Sequence, residues 1–196
     1  PVDVIIRRVE AASCDPLELR SDSPHGVPGL VEAVRAGTVS VVNALGSGLA
    51  DTESLMPFLP GLCGYLLQED LRLPSVATWW CGQEAPRRQV LDHLETAVIK
   101  PAFPRFGQHA EFPAKLTVEA RRTPAARIEA HPTRFVAQEQ VDLSSAPVHT
   151  HRGLEARHVV LRVLAAWDGT SYAVVPGGLT RVAAGQQSLV VSLQAG

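Results

Sequence analysis

A single lysine closing a β-branched run is the first chemical signal in the chain. Val98-Ile99-Lys100-Pro101 presents one ammonium group and then stops, because proline supplies no ladder N–H and restricts its own backbone. Taking an ammonium out of water costs several kcal/mol unless an anion meets it, so Lys100 is expected to hold a phosphate. Three further segments suit the same ligand: strands carrying Arg162 and Arg181, the polar strand Gln138-Glu139-Gln140, and the turn Pro176-Gly177-Gly178. Cations would meet phosphates, the backbone of the polar strand an adenine edge, a carboxylate the ribose, and glycine N–H groups any remaining oxygen. Each side chain taken alone reads better as an exposed or salt-bridged surface group; it is their combination that points to a nucleoside triphosphate.

Magnesium accompanies such a nucleotide and takes oxygen ligands. Glu10, Asp15, Asp22 and Asn43 stand at or just after N-terminal strands and are the candidates, with turn formation next to proline as the competing role of Asp15 and Asp22. His149 and His151 lie two apart in a loop-like stretch and lack a third ligand nearby. Gly46-Ser47-Gly48 follows a strand and resembles an anion-binding turn, but many strand-to-helix turns hold two glycines for steric reasons. The chain has no GxSxG, no Walker lysine loop and no dinucleotide fingerprint.

Composition narrows the classes. With 196 residues, 45% of them hydrophobic, there is enough apolar material for one substantial core or two modest ones. A net charge of -2 and arginines scattered in pairs without interleaved aromatics argue against nucleic acid. No apolar run of about 18 residues is present, so no membrane span is expected. Three cysteines without CxxC spacing suggest small buried hydrophobes and a reducing cytoplasm. The chain begins within a strand-like run without methionine, which suggests a piece of something longer.

The elements that must position these residues alternate at first. Strand signals at 2–9, 38–43, 75–81 and 97–100 are separated by helical patterns. Pro28 opens the first helix and Gly37 ends it; Asp51 caps a second, broken by Pro57 and Pro60, whose Leu62, Tyr65 and Leu66 form a core-facing stripe; the third runs from Gln83 to Leu94. Past Pro101 a loop is expected, then a helix over 117–130 and strands at 134–141, 157–164, 171–175 and 188–193, with 176–181 a tight turn. The class is α+β, helices packed on mixed and antiparallel sheets, divided into an α/β lobe at 1–96 and a β-rich lobe at 97–196.

In order, IIRRVEAASCDPLELRSDS, HGVPGLVEAVRAGTVSVVNALGSG, LRLPSVATWWCG, HLETAVIKPA, VAQEQVDLSSAP, LEARHVVLRV and VVPGGLTRVA resemble the circularly permuted ATP-grasp proteins, relatives of glutathionylspermidine synthetase-like ligases. The resemblance implies two lobes around a cleft for ATP and Mg2+, and carboxylate–amine ligation through an acyl phosphate. It makes Lys100 the phosphate lysine, Gln138 and Glu139 the adenine and ribose strand, and Arg162 and Arg181 phosphate contacts. It also assigns Arg8 to the acyl phosphate and Glu10 or Asp15, with Asn43, to magnesium. Substrates would be small or peptide-like carboxylates and amines, and a fused or adjacent helical domain is implied. Three positions depart from the pattern: a non-glycine loop follows Lys100, Glu53 replaces a lysine, and Val160 replaces an aspartate. They leave two other functions open, a nucleotide-binding module without turnover and a scaffold domain.

Overall fold

The structure is a computed structural model that describes residues 2–103, 108–185, 188 and 191. The chain forms two compact units, Pro1–Gln140 and Val141–Gly196. The boundary between them falls after the polar strand, whereas the alternation of elements had suggested one at 96/97.

In the first unit, β1 (Val4–Ile6) pairs in parallel with β2 (Ser40–Val42), and α1 (Leu30–Arg35) lies between them in sequence. Gly37, at φ 70, ends α1 as expected, with its N–H on Val34 O and the next N–H on Ala33 O. Pro28 precedes the helix instead of opening it, because Gly29, at φ 82, occupies the cap position. Asp15 fastens this region. Its Oδ1 accepts from the Leu17 amide at 2.9 Å and its Oδ2 from the Val31 amide at 3.0 Å, in the first turn of α1. The Val31 N–H is the main cause of a carboxyl pKa below the ordinary value of 3.8, against a smaller opposing effect of burial.

Two 3-10 turns follow, Leu45–Leu49 and Glu53–Phe58; Thr52, and not the expected Asp51, stands at the cap position of the second, without a side-chain capping bond to it. Next come α2 (Leu59–Leu67), β3 (Thr78–Trp80), α3 (Glu84–Asp92), β4 (Ala97–Pro101), α4 (Arg122–Ala130) and β5 (Phe135–Glu139). The stripe expected to face the core on α2 is instead exposed: Leu62, Tyr65 and Leu66 are 37%, 79% and 68% accessible. Here an apolar helical face without a described partner misled the periodicity argument.

β3, β5 and β4 form one antiparallel sheet with β5 in the middle. Its position explains why Val136 and Ala137 are completely buried. Alternation sends Ala97, Ile99 and Ala137 to the face covered by Val90 and Leu94 and by Ile128 of α4. Gly82 follows β3 because a Cβ there would collide with the Trp80 indole. Burial pushes the Cys81 thiol up to about 11, with Arg87 opposing, so it serves as packing.

In the second unit, β6 (Ser145–Thr150), β7 (Gly153–Arg162) and β10 (Leu179–Val182) form an antiparallel sheet in the order β10-β7-β6, beside the hairpin β8 (Ala165–Trp167) and β9 (Tyr172–Val174). Two segments read as loop or turn are therefore strands. Pro147 made 145–150 look irregular, but β6 is an edge strand, where a missing N–H is tolerated. The turn at Pro176–Gly178 is shorter than expected, and Leu179 to Arg181 already pair with β7. The hairpin turn is held by Asp168, whose Oδ1 accepts the Thr170 and Ser171 amides at 2.8 Å, and its carboxyl is lowered to about 2 by the Ser171 amide first and Thr170 next. The strand expected over 188–193 lies, apart from Ser188 and Val191, outside the described residues.

Two outcomes follow from this packing. Ile128→Ala removes a side chain with no exposed surface and is expected to destabilise the first unit by about 2–5 kcal/mol, read by urea unfolding with Trp79 and Trp80 fluorescence as the signal. Asp15 contributes stability above its unfolded-state pKa and loses it as pH falls through the lower folded-state value. Wild type should therefore weaken on acidification below about pH 4 more steeply than Asp15→Asn, and parallel profiles for the two proteins would remove this role.

Candidate functional site

The end of β4 organises the first unit's polar cluster. Lys100 stands opposite Val136, and Val98 opposite Gln138, so Lys100 and Gln138 share the sheet face away from the helical core. The 3-10 turn Glu53–Phe58 covers that face. Glu53 Oε1 lies 3.4 Å from Lys100 Nζ, with both side chains 26% exposed. The Ser54 amide donates to Ala102 O at 3.2 Å, which ties the turn to the chain just beyond the lysine. Gln138 Nε2 donates to Thr78 Oγ1 at 3.1 Å and sits 3.8 Å from Met56 Sδ.

The anion expected at Lys100 is thus present within the chain itself. A half-buried pair of this kind contributes about 0–1 kcal/mol, since both groups keep part of their water. Hydrogen bonds from charged groups to phosphate are stronger, about 1.5–3 kcal/mol each, so a phosphate oxygen can displace the carboxylate.

The polar strand meets these expectations less well. Glu139 pairs with Ala97, on the opposite face from Lys100. Because β5 is central, its edges are occupied: the Glu139 amide donates to Ala77 O at 2.9 Å and the Gln140 amide to Thr96 O at 3.3 Å. Neither N–H is open to a base edge, so the main-chain role assigned to that strand is corrected for these two donors.

In the second unit, Arg181 stands opposite Val160 and Leu179 opposite Arg162. Both arginines therefore project from one face of β10 and β7, as diagonal neighbours across the ladder. The Arg181 Nε is buried without a hydrogen-bond partner among the described residues. Val160, one of the departures noted in the sequence, is the residue directly across from it.

The N-terminal candidates behave differently from one another. Arg8, Glu10 and Asn43 are exposed. Asp15 has no exposed surface and holds backbone amides with both oxygens, so a structural role takes the place of the metal role suggested for it. Asp22 is paired with Arg20 at 2.8 Å. His149 lies in edge strand β6, and no group of three possible metal ligands occurs among the described residues.

Sequence reasoning overlooked Arg7. Its Nε donates to Asn43 O at 3.1 Å, one Nη to Val9 O at 2.5 Å, and the other to Ser47 Oγ at 3.0 Å. It thereby pins the Gly46-Ser47-Gly48 turn to the end of β1. That turn is a short 3-10 segment and not the start of a helix, so its anion-binding reading is dropped. The signal was available in strand alternation, since of two consecutive arginines only one can turn inward.

A sequence model described as circularly permuted ATP-grasp type 2 matches residues 1–183. An uncharacterized protein of Synechocystis sp., sll0335, is 38% identical over 195 residues, covering 100% of this chain and 40% of that protein. The uncharacterized Mycobacterium tuberculosis protein Rv2411c is 37% identical over 195 residues, with 100% and 35% covered. A second uncharacterized protein of that organism, Rv2567, is 39% identical over 183 residues, with 93% of this chain and 20% of that protein covered. The chain thus spans two fifths or less of the length of these relatives. With a match over nearly its whole length, this chain belongs to the circularly permuted ATP-grasp type 2 family.

Proposed function

We propose that this chain is the nucleotide-handling part of an ATP-dependent carboxylate–amine ligase. The single observation that supports it is the Lys100 ammonium, fixed at a strand end and matched there by an exchangeable carboxylate. ATP-grasp proteins in general are ATP-dependent ligases. In this reading Lys100 binds a phosphate oxygen of ATP, with Gln138 contributing a polar edge on the same sheet face, and Arg162 and Arg181, neighbours on one face of the second unit's sheet, are further phosphate ligands. Lys100 stabilises charge that develops as a substrate carboxylate attacks the γ-phosphate, and an amine then displaces phosphate from the acyl phosphate. Arg8, exposed and without a described partner, would orient that acyl phosphate.

Magnesium fits as a passenger on the phosphates. Glu10 and Asn43 offer exposed oxygens of the right kind, and no described cluster forms a dedicated cage. When bound, the ion neutralises charge on the phosphate oxygens. Partners in this reading are small or peptide-like acids and amines in the cytoplasm, with no nucleic acid and no membrane. No described helix is long and apolar enough to cross a bilayer.

A second reading, a nucleotide-binding module without turnover, is favoured by the same pair, because Glu53 offsets the charge that would activate the phosphate. Isothermal titration of ATP with Mg2+ addresses both. Lys100→Ala is expected to weaken binding at least about tenfold, whereas Glu53→Gln should tighten it about threefold to fivefold by releasing the ammonium. Equal binding by wild type and Lys100→Ala would remove the site. ADP release that depends on an added acid and amine separates ligase from module.

A further inference from the structure

A cavity of about 400 Å3 opens at the edge of the β3-β5-β4 sheet, lined by Lys100, His109, Glu111, Arg127, His131 and Arg134. Main-chain hydrogen bonds hold its walls. Ile99 and Glu111 exchange N–H···O bonds at 2.9 and 2.8 Å, the Ala102 amide donates to Arg134 O at 2.8 Å, and the amides of His131 and Arg134 donate to Arg127 O and His131 O, each at 3.0 Å. The frame is therefore set by backbone and not by flexible side-chain contacts.

The charges around it do not cancel. Lys100 is matched by Glu53, and Arg127 Nη1 by Glu111 Oε1 at 2.7 Å. Among the described residues, the Arg134 guanidinium and the rings of His109 and His131 have no hydrogen-bond or ion-pair partner. A solvated surface arginine is ordinary, but here an unmatched guanidinium and two imidazoles converge on one concavity, where low-dielectric walls concentrate the field. Phe135 also lines the cavity, and the Arg127 guanidinium lies over its ring at 5.2 Å, so that face is taken by a cation.

We propose that this cavity binds a small oxyanion, a phosphate or carboxylate group, in the planar fork of Arg134 with His131 and His109 supplying further donors. The guanidinium fork suits two oxygens of one such group, and the volume suits a small molecule. Lys100 lines this cavity too, but its ammonium is matched by Glu53, so the proposal rests on Arg134, His131 and His109 and is tested separately from nucleotide binding.

The test is titration of the chain with inorganic phosphate and, separately, succinate, followed by 1H–15N spectra. Saturable binding is expected for at least one probe, with shifts centred on residues 108–111 and 127–135. The tighter probe names the source, a phosphorylated ligand or a carboxylic acid. Arg134→Ala should weaken that binding at least about tenfold, Arg134→Lys should weaken it less, and Glu111→Gln should strengthen it by freeing Arg127. Arg134 is exposed and holds its neighbours only through its main chain, so Arg134→Ala is expected to fold, which its unperturbed spectrum elsewhere checks. No saturable binding by wild type, unchanged affinity in Arg134→Ala, or displacement of the probe by ATP with Mg2+ would each overturn a separate oxyanion site.

Discussion

The ammonium of Lys100 and the carboxylate of Glu53 meet 3.4 Å apart at the end of β4, and the polar face of the first unit is arranged around that contact. Neither group is positioned by the pair itself. Lys100 is held because β4 pairs along its length with the central strand β5, where Lys100 stands opposite the completely buried Val136, while Glu53 is held because Ser54 is bonded to Ala102. The sheet and the 3-10 turn thus bring opposite charges together with little further ordering. The pair's own contribution to stability is small, and that makes it exchangeable. A tighter, fully buried pair would be a structural feature; this one keeps a quarter of its surface in water.

The same logic relates two departures from the ATP-grasp pattern. A lysine at position 53 would place a second cation beside Lys100, whereas glutamate gives it an anion. An aspartate at 160 would stand directly across from Arg181, whereas with valine there the buried Nε of that arginine has no hydrogen-bond partner among the described residues. One change moves a cation toward neutrality and the other leaves one unmatched. Both alter charge balance without disturbing the strand pairing that positions the cations.

Much of the framework was legible because it follows from local rules. The β-branched run at 98–100 became β4, although the strand continues through Pro101, which pairs with Phe135, where a stop was expected; Gly37 ended α1, and the helix expected from Gln83 is α3. What was not legible depended on neighbours. The exposure of Tyr65 and Leu66 could not be read from their helical spacing, since periodicity reports a face and not what covers it. Strand β6 was hidden by Pro147, acceptable only because that strand lies at an edge. At the candidate site, the sequence singled out Lys100 as a cation seeking an anion but not the carboxylate 47 positions away that meets it, and it marked Glu53 only as a departure. Asp15 looked like a metal ligand because a carboxylate beside proline fits either role, and only its two amide donors decide between them.

In the proposed function, Lys100 exchanges an internal carboxylate for a nucleotide phosphate. The most direct measurement follows the Lys100 side-chain 15Nζ and 13Cε resonances while a non-hydrolysable ATP analogue with Mg2+ is added to wild type and to Glu53→Gln. The two proteins should differ at Lys100 when free and converge when saturated, because the phosphate replaces Glu53 in one and fills an open position in the other. Lys100 resonances that stay unchanged while the nucleotide binds would contradict it.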